Sequence, residues 1–186
     1  MNSIYGIPCH LRNRQTRSAI KQTLKQIRAH NLSDFRALQS LVKEIVPLPK
    51  AKQKDGTLGE WIEEQPNGDD PSTWRYGFDR TPGKLLLKER FENQEHAIAT
   101  IAHEFGHACS TYEDEMRRGA TIYEEWLSEL AADWYACKKW GFGKLIARDW
   151  ARREARHHCF KPGTSFEYNG ISFRITRNFC IRPEPR

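Results

Sequence analysis

Residues 101–108 read IAHEFGHA. Whether His103, Glu104 and His107 form a metal site or an accidental pattern on an ordinary helix decides how the chain is read. At 100° per residue, Ile98, Ala102, Phe105 and Cys109 gather on one face of a helix over 94–109, with Ile101 beside them. His103 and His107 lie roughly opposite, about 40° apart, so that one imidazole stacks a turn above the other. Two rings placed this way can share one tetrahedral ion. Glu104 projects to their side, where a carboxylate can act on water without becoming a ligand. The competing reading is a helix with two solvent-facing histidines. It is weakened because the helix already has a sufficient apolar face.

A catalytic zinc takes three protein ligands and keeps one position open. The next helical stretch, EEWLSELAADWYA (124–136), supplies the candidate. Leu127, Leu130, Ala131 and Trp134 make its apolar face, and Glu125, Glu129 and Asp133 fall together on the other side. Glu129 is the preferred third ligand, with Glu125 as its competitor and ordinary surface charge as the alternative for both. Asp133, one turn beyond Glu129, can accept the free ring N–H of a ligand histidine and fix its tautomer.

HEFGH (103–107) followed by ELAAD (129–133) resembles the gluzincin clan of zinc metallopeptidases, whose pattern is H-E-x-x-H and then E-x-x-x-D/N on a later helix. The short insert, with KLLLKER just before the first helix, is similar to compact members such as the ImmA/IrrE-type peptidases and the minigluzincins. The resemblance covers residues 84–143, about a third of the chain. It implies a zincin-like fold, Zn2+ held by His103, His107 and Glu129, Glu104 as general base, and Asp133 supporting a ligand. It also implies that residues 84–88 form the strand beside which an extended protein or peptide substrate lies. An oxyanion must be steadied in such a reaction, and Tyr112, Tyr123, His157 and His158 are the candidates. Metzincins fit less well, because Ser110 and Glu113 occupy the positions of their turn glycine and third histidine. SprT-type proteases need a later histidine, and none follows His107 until His157.

Outward from this core, residues 13–30 place Ile20, Leu24 and Ile27 at helical spacing among Arg and Lys. Ser33 is read as the cap of a second helix lined by Phe35, Leu38, Leu41, Val42 and Ile45 and stopped by Pro47 and Pro49. Turn-rich sequence over 50–83 carries candidate strands at 57–63 and 73–79, and GKLLLKER (83–90) reads as a further strand. Asn93 caps the histidine helix. A later helix spans about 122–140 and ends at Gly141, and residues 144–158 read as another. Phe166, Tyr168, Ile171, Phe173 and Ile175 alternate about Asn169-Gly170, a hairpin signal. The expected architecture is α+β, with a small, mostly antiparallel sheet packed on the two site helices. It forms a single domain over 1–186: a helical part at 1–49, a catalytic core at 50–143, and a C-terminal helix and hairpin at 144–186.

Charge is distributed unevenly. Residues 1–60, 61–135 and 136–186 carry net charges of +7, −9 and +8, giving +6 for the chain. The basic flanks suit nucleic acid, an acidic protein, or the acidic middle of the same chain. No aromatic-interleaved basic motif or reading helix favours nucleic acid. The five scattered cysteines lack a C-x-x-C pair and read as reduced thiols, with Cys109 and Cys137 as core fillers. Cys9-His10 is a remote alternative source of metal ligands. No apolar run reaches the ~20 residues of a membrane span, and MNSIYGIPCHLRNRQTR lacks a secretory core, so the expected address is the cytoplasm. The competing functional class is a regulatory or DNA- or protein-binding module on an inactive peptidase scaffold.

Overall fold

The structure is a computed structural model that describes residues 3–54, 56–64, 82–110, 124–153, 161–168 and 171–184. The fold is α+β, with six α-helices and three small sheets among the described residues. The expected strand at 73–79, the loop 111–123 and residues 154–160 lie outside them. No described helix is long and apolar enough to cross a membrane.

A short hairpin, β1 (Ser3–Ile4) and β2 (Ile7–Pro8), precedes α1 (Arg14–His30). Asn31 closes α1, its backbone N–H donating to the Ile27 carbonyl. It also opens α2 (Leu32–Leu41), its side chain accepting from the Asp34 N–H. Asn31 therefore takes the capping role assigned in sequence to Ser33. The apolar run beyond Leu41 is not helical. Val42–Pro47 is a strand, β3, and Ile45 is buried within it. The β-branched residues Val42, Ile45 and Val46 favour extended backbone, and pairing with a buried neighbour overrides the helical spacing of their side chains.

After the short α3 (Lys50–Lys54) come β4 (Gly59–Glu63) and β5 (Gly83–Leu87). The central sheet has the order β3-β5-β4, with β3 parallel and β4 antiparallel to β5. It is thus mixed rather than mostly antiparallel, because the reassigned segment 42–47 joins it in parallel. Leu85 and Leu87 of β5 are fully buried, as a strand with neighbours on both edges and helices on its face requires.

The sheet packs on α4 (Gln94–Cys109), which also contacts α1, α2 and the following helix α5 (Glu124–Trp134). Ile20, Leu24 and Ile27 of α1 meet Ile98, Ile101 and Phe105 of α4 in one core. A π-helical segment, Tyr135–Lys139, prolongs α5 until Gly141 turns the chain at φ +76°. The last helix, α6 (Gly143–Arg153), leads to an antiparallel sheet of β6 (Ser165–Tyr168), β7 (Ile171–Ile175) and β8 (Ile181–Pro183). The Tyr168↔Ile171 register leaves a two-residue connection, as the Asn-Gly pair predicts. Phe173, Ile175, Phe179 and Ile181 of this sheet pack on Leu130 of α5. The helix carrying Glu129 is therefore held on one side by α4 and on the other by the C-terminal sheet.

Candidate metal centre

Helix α4 is fixed at its start by Asn93, whose side chain accepts a hydrogen bond from the His96 N–H at 2.9 Å. Nearly all of its length is buried, so its rotation and height are set by packing. At Gly106 the backbone of α5 comes up against α4. A Cβ there would lie 2.7 Å from the Ala132 Cα, inside any normal contact. Only glycine permits this approach, and it brings a carboxylate on α5 within reach of both imidazoles. A glycine inside a helical pattern signals such a packing need, and here it marks the crossing point of the two site helices.

At the crossing, the Nε2 atoms of His103 and His107 are 3.1 Å apart. The Glu129 carboxylate lies 2.9 Å from His103 Nε2 and 3.4 Å from His107 Nε2. Atoms held 2.0–2.1 Å from a tetrahedral ion are separated by roughly 3.3 Å, so the triangle matches three corners of such a site. The other ring nitrogens are also engaged. His103 Nδ1 donates to Asp133 Oδ1 at 2.8 Å, and His107 Nδ1 stands 3.1 Å from Ser128 Oγ. With Nδ1 carrying the proton on each ring, both Nε2 lone pairs and an ionised carboxylate point at one volume. Three lone-pair donors converging in this way require a cation or a shared proton between them. Residues His103, His107 and Glu129 are the cluster able to hold a metal ion among the described residues. Their side chains remain 14%, 15% and 21% exposed, so the site opens to the surface.

The electrostatics agree with a poised cation site. Burial opposes ionisation of Glu129, but the adjacent His103 and His107 outweigh it and hold the carboxyl far below its usual range. Burial likewise opposes a charge on His103, and the carboxylates of Glu129 and Asp133 outweigh it, raising that imidazole well above its ordinary value. Burial and then Asp133 push the Cys137 thiol upward, and Cys137 is not among the three side chains whose ligand atoms converge.

Glu104 sits beside the triad and is buried. Burial raises its carboxyl, and the two imidazoles partly offset the rise. Strand β4 lies directly over it. A Cβ at Gly59 would come 2.8 Å from Glu104 Cγ and 3.1 Å from Thr100 Cγ2, and the Trp61 backbone N–H donates to the Glu104 carboxylate. Neither Gly59, Trp61 nor Ser128 stands out in the sequence, because their roles depend on a strand and a helix meeting α4 from elsewhere in the chain.

The register of β4 corrects one expectation. Residues 84–88 belong to β5 and the residue following it, and β5 is paired on both edges, so it offers no edge to an extended substrate. The Lys88 N–H bonds to the Leu58 carbonyl and the Glu64 N–H to the Pro82 carbonyl, which directs the even-numbered residues of β4 toward β5. Gly59, Trp61 and Glu63 therefore turn their backbone groups to the outer edge. Cys9 and His10 are not brought to the triad. Cys9 bridges Ile45 on the far side of the sheet, and His10 pairs with Glu44 at 3.2 Å. Cys9, Cys109, Cys137 and Cys180 are free thiols, with Cys109 fully buried as expected of a core residue. Tyr112, Tyr123, His157 and His158 lie outside the described residues, as does the side chain of Glu125.

No family model, curated protein or solved structure matches the chain.

Proposed function

We propose that the protein is a zinc-dependent endopeptidase with a zincin-like core. The observation that carries this reading is the convergence of His103 Nε2, His107 Nε2 and the Glu129 carboxylate, with Glu104 beside them and outside the ligand triangle. Two imidazoles and a carboxylate in tetrahedral spacing suit zinc better than the harder cations, which prefer all-oxygen sites. Bound there, Zn2+ would supply Lewis acidity, polarising a carbonyl and lowering the pKa of a water to about 7.

The chain's own residues account for the remaining work. Asp133 holds His103 in the tautomer that directs Nε2 inward, and Ser128 does the same for His107. Glu104 accepts a proton from water as it attacks the peptide carbonyl, then delivers that proton to the departing amine as the C–N bond breaks. The Trp61 N–H fixes the orientation of the Glu104 carboxylate. An extended peptide is accommodated at the outer edge of β4, where the backbone groups of Gly59 and Glu63 can pair with it. A non-catalytic binding module has no use for a buried carboxylate next to an ion's open position, which favours the enzyme over that alternative.

The test is Glu104→Gln, assayed against a mixture of unfolded proteins with and without chelator. The variant should keep its zinc and lose hydrolysis by at least about a hundredfold, the scale of a general base. Cleavage at the unaltered rate would remove Glu104 from the mechanism.

A further inference from the structure

Helix α1 contains no acidic residue in its seventeen positions. Its buried residues, among them Ile20, Thr23 and Ile27, form one face against the core. At 100° per residue, Arg14, Lys21, Lys25 and Arg28 fall within a sector of about 60° on the opposite face, with Arg17 at its margin. These four are exposed, and they form a straight row about 21 Å long at 1.5 Å per residue.

The row is not neutralised from within the molecule. Among the described residues none of the four makes an ion pair, and Arg28 rests over the Phe35 ring. The nearby carboxylates are engaged elsewhere: Glu89 accepts the backbone N–H groups of Arg12 and Asn13, Glu44 pairs with Lys84 and His10, and Glu95 pairs with Arg148. At its N-terminal end the row runs into a cleft of about 530 Å³ whose lining includes Arg12, Arg14 and Arg17.

Such a helix is electrostatically strained. Lys21–Lys25 and Arg17–Lys21 are like-charge i,i+4 neighbours, and Arg14 and Arg17 stand at the positive end of the helix dipole. A polyanion laid along the face would relieve both. The face also lacks what a protein partner would use. Among the described residues the exposed large hydrophobic residues are Tyr5, Leu32 and Ile62, none of them on α1. Tyr5, edge-on to the Phe35 ring under Arg28, touches only the C-terminal end of the row, whereas protein interfaces centre on a cluster of apolar anchors. A polar, cationic surface without apolar anchors matches a phosphate chain, and at 3.4 Å of axis per phosphate the row spans about six phosphates of one strand.

We propose that the solvent face of α1, with the cleft at its start, binds the phosphate backbone of a nucleic acid. It does so through charge rather than base reading, and independently of the metal centre.

The experiment is fluorescence anisotropy of the full-length chain with a labelled DNA duplex of mixed sequence, at about 50 to about 200 mM salt. The four cations of the row with Arg12 and Arg17 of the cleft predict a slope of log K against log salt near −5 for about six phosphates neutralised. The variant K21Q/K25Q/R28Q should lose about three units of that slope and at least about tenfold in affinity, with zinc content and helical circular dichroism unchanged. The variant R174Q/R177Q/R182Q, which removes equal charge from the C-terminal sheet, should retain the slope of the native chain. The assignment is overturned if the native chain does not bind at the lowest salt, or if the two triple variants lose affinity equally. It is also overturned if a labelled polyglutamate peptide binds the same lysines more tightly than the duplex, which would make the partner an acidic protein.

Discussion

At the scale of single residues, the proposed site depends on atoms outside the triangle of His103, His107 and Glu129. His103 can present Nε2 inward only while Nδ1–H is held, and the holder is the nearly inaccessible carboxylate of Asp133 at 2.8 Å. Asp133→Asn keeps the shape and removes the charge that makes the imidazole a strong donor. Zinc affinity should fall about 10- to 100-fold while the three ligands remain in place. Competition with a chromophoric chelator measures this directly, and an unchanged affinity would mean that Asp133 does not orient the ring. The i, i+4 histidines, Glu104 between them and the acidic pair Glu129 and Asp133 were legible in the sequence because helical geometry alone brings them into line. Ser128 was not, since only the packing of α5 against α4 tells which side of that helix faces His107.

At the scale of elements, the meeting of α4 and α5 is set by Gly106. Glycine within a helix is unfavourable by about 1 kcal/mol relative to alanine, so Gly106→Ala on an isolated helix would be stabilising. Here the added Cβ would run into the Ala132 backbone, and the helices must part. The variant should lose about 1–3 kcal/mol in urea unfolding and bind zinc more weakly, because Glu129 retreats with its helix. A gain in stability would show that the approach is not tight.

The same packing explains what sequence reading misplaced. Residues 42–47 have helical spacing of apolar side chains, yet β5 offers them an open parallel edge, and long-range pairing decides their state. Assigning the substrate edge to residues 84–88 failed for a related reason, since a strand's position in a sheet depends on which segments pair with it, here β3 and β4 on either side. Helices α1 and α4 and the Asn-Gly hairpin were legible because each rests on local periodicity or turn chemistry.

At the scale of the whole molecule, the centre ties together parts that are distant in the chain. Glu129 stands on a helix anchored by Leu130 to the C-terminal sheet, while the histidines stand on a helix packed against α1, α2 and β4. A metal bound to both helices would stabilise the fold by linkage, by about 2.7 kcal/mol at a hundred times Kd. For a chain of this size chelation should therefore lower Tm by about 5–10 °C, reversibly on adding zinc back. Identical melting with and without chelator would mean that no bound metal contributes to the fold. The central claim is tested most directly by the zinc content of purified protein, native and Glu129→Ala, after dialysis against metal-free buffer. We expect about one zinc per native chain and a large loss in the variant. A native chain without metal, or a variant that keeps its full complement, would contradict the account.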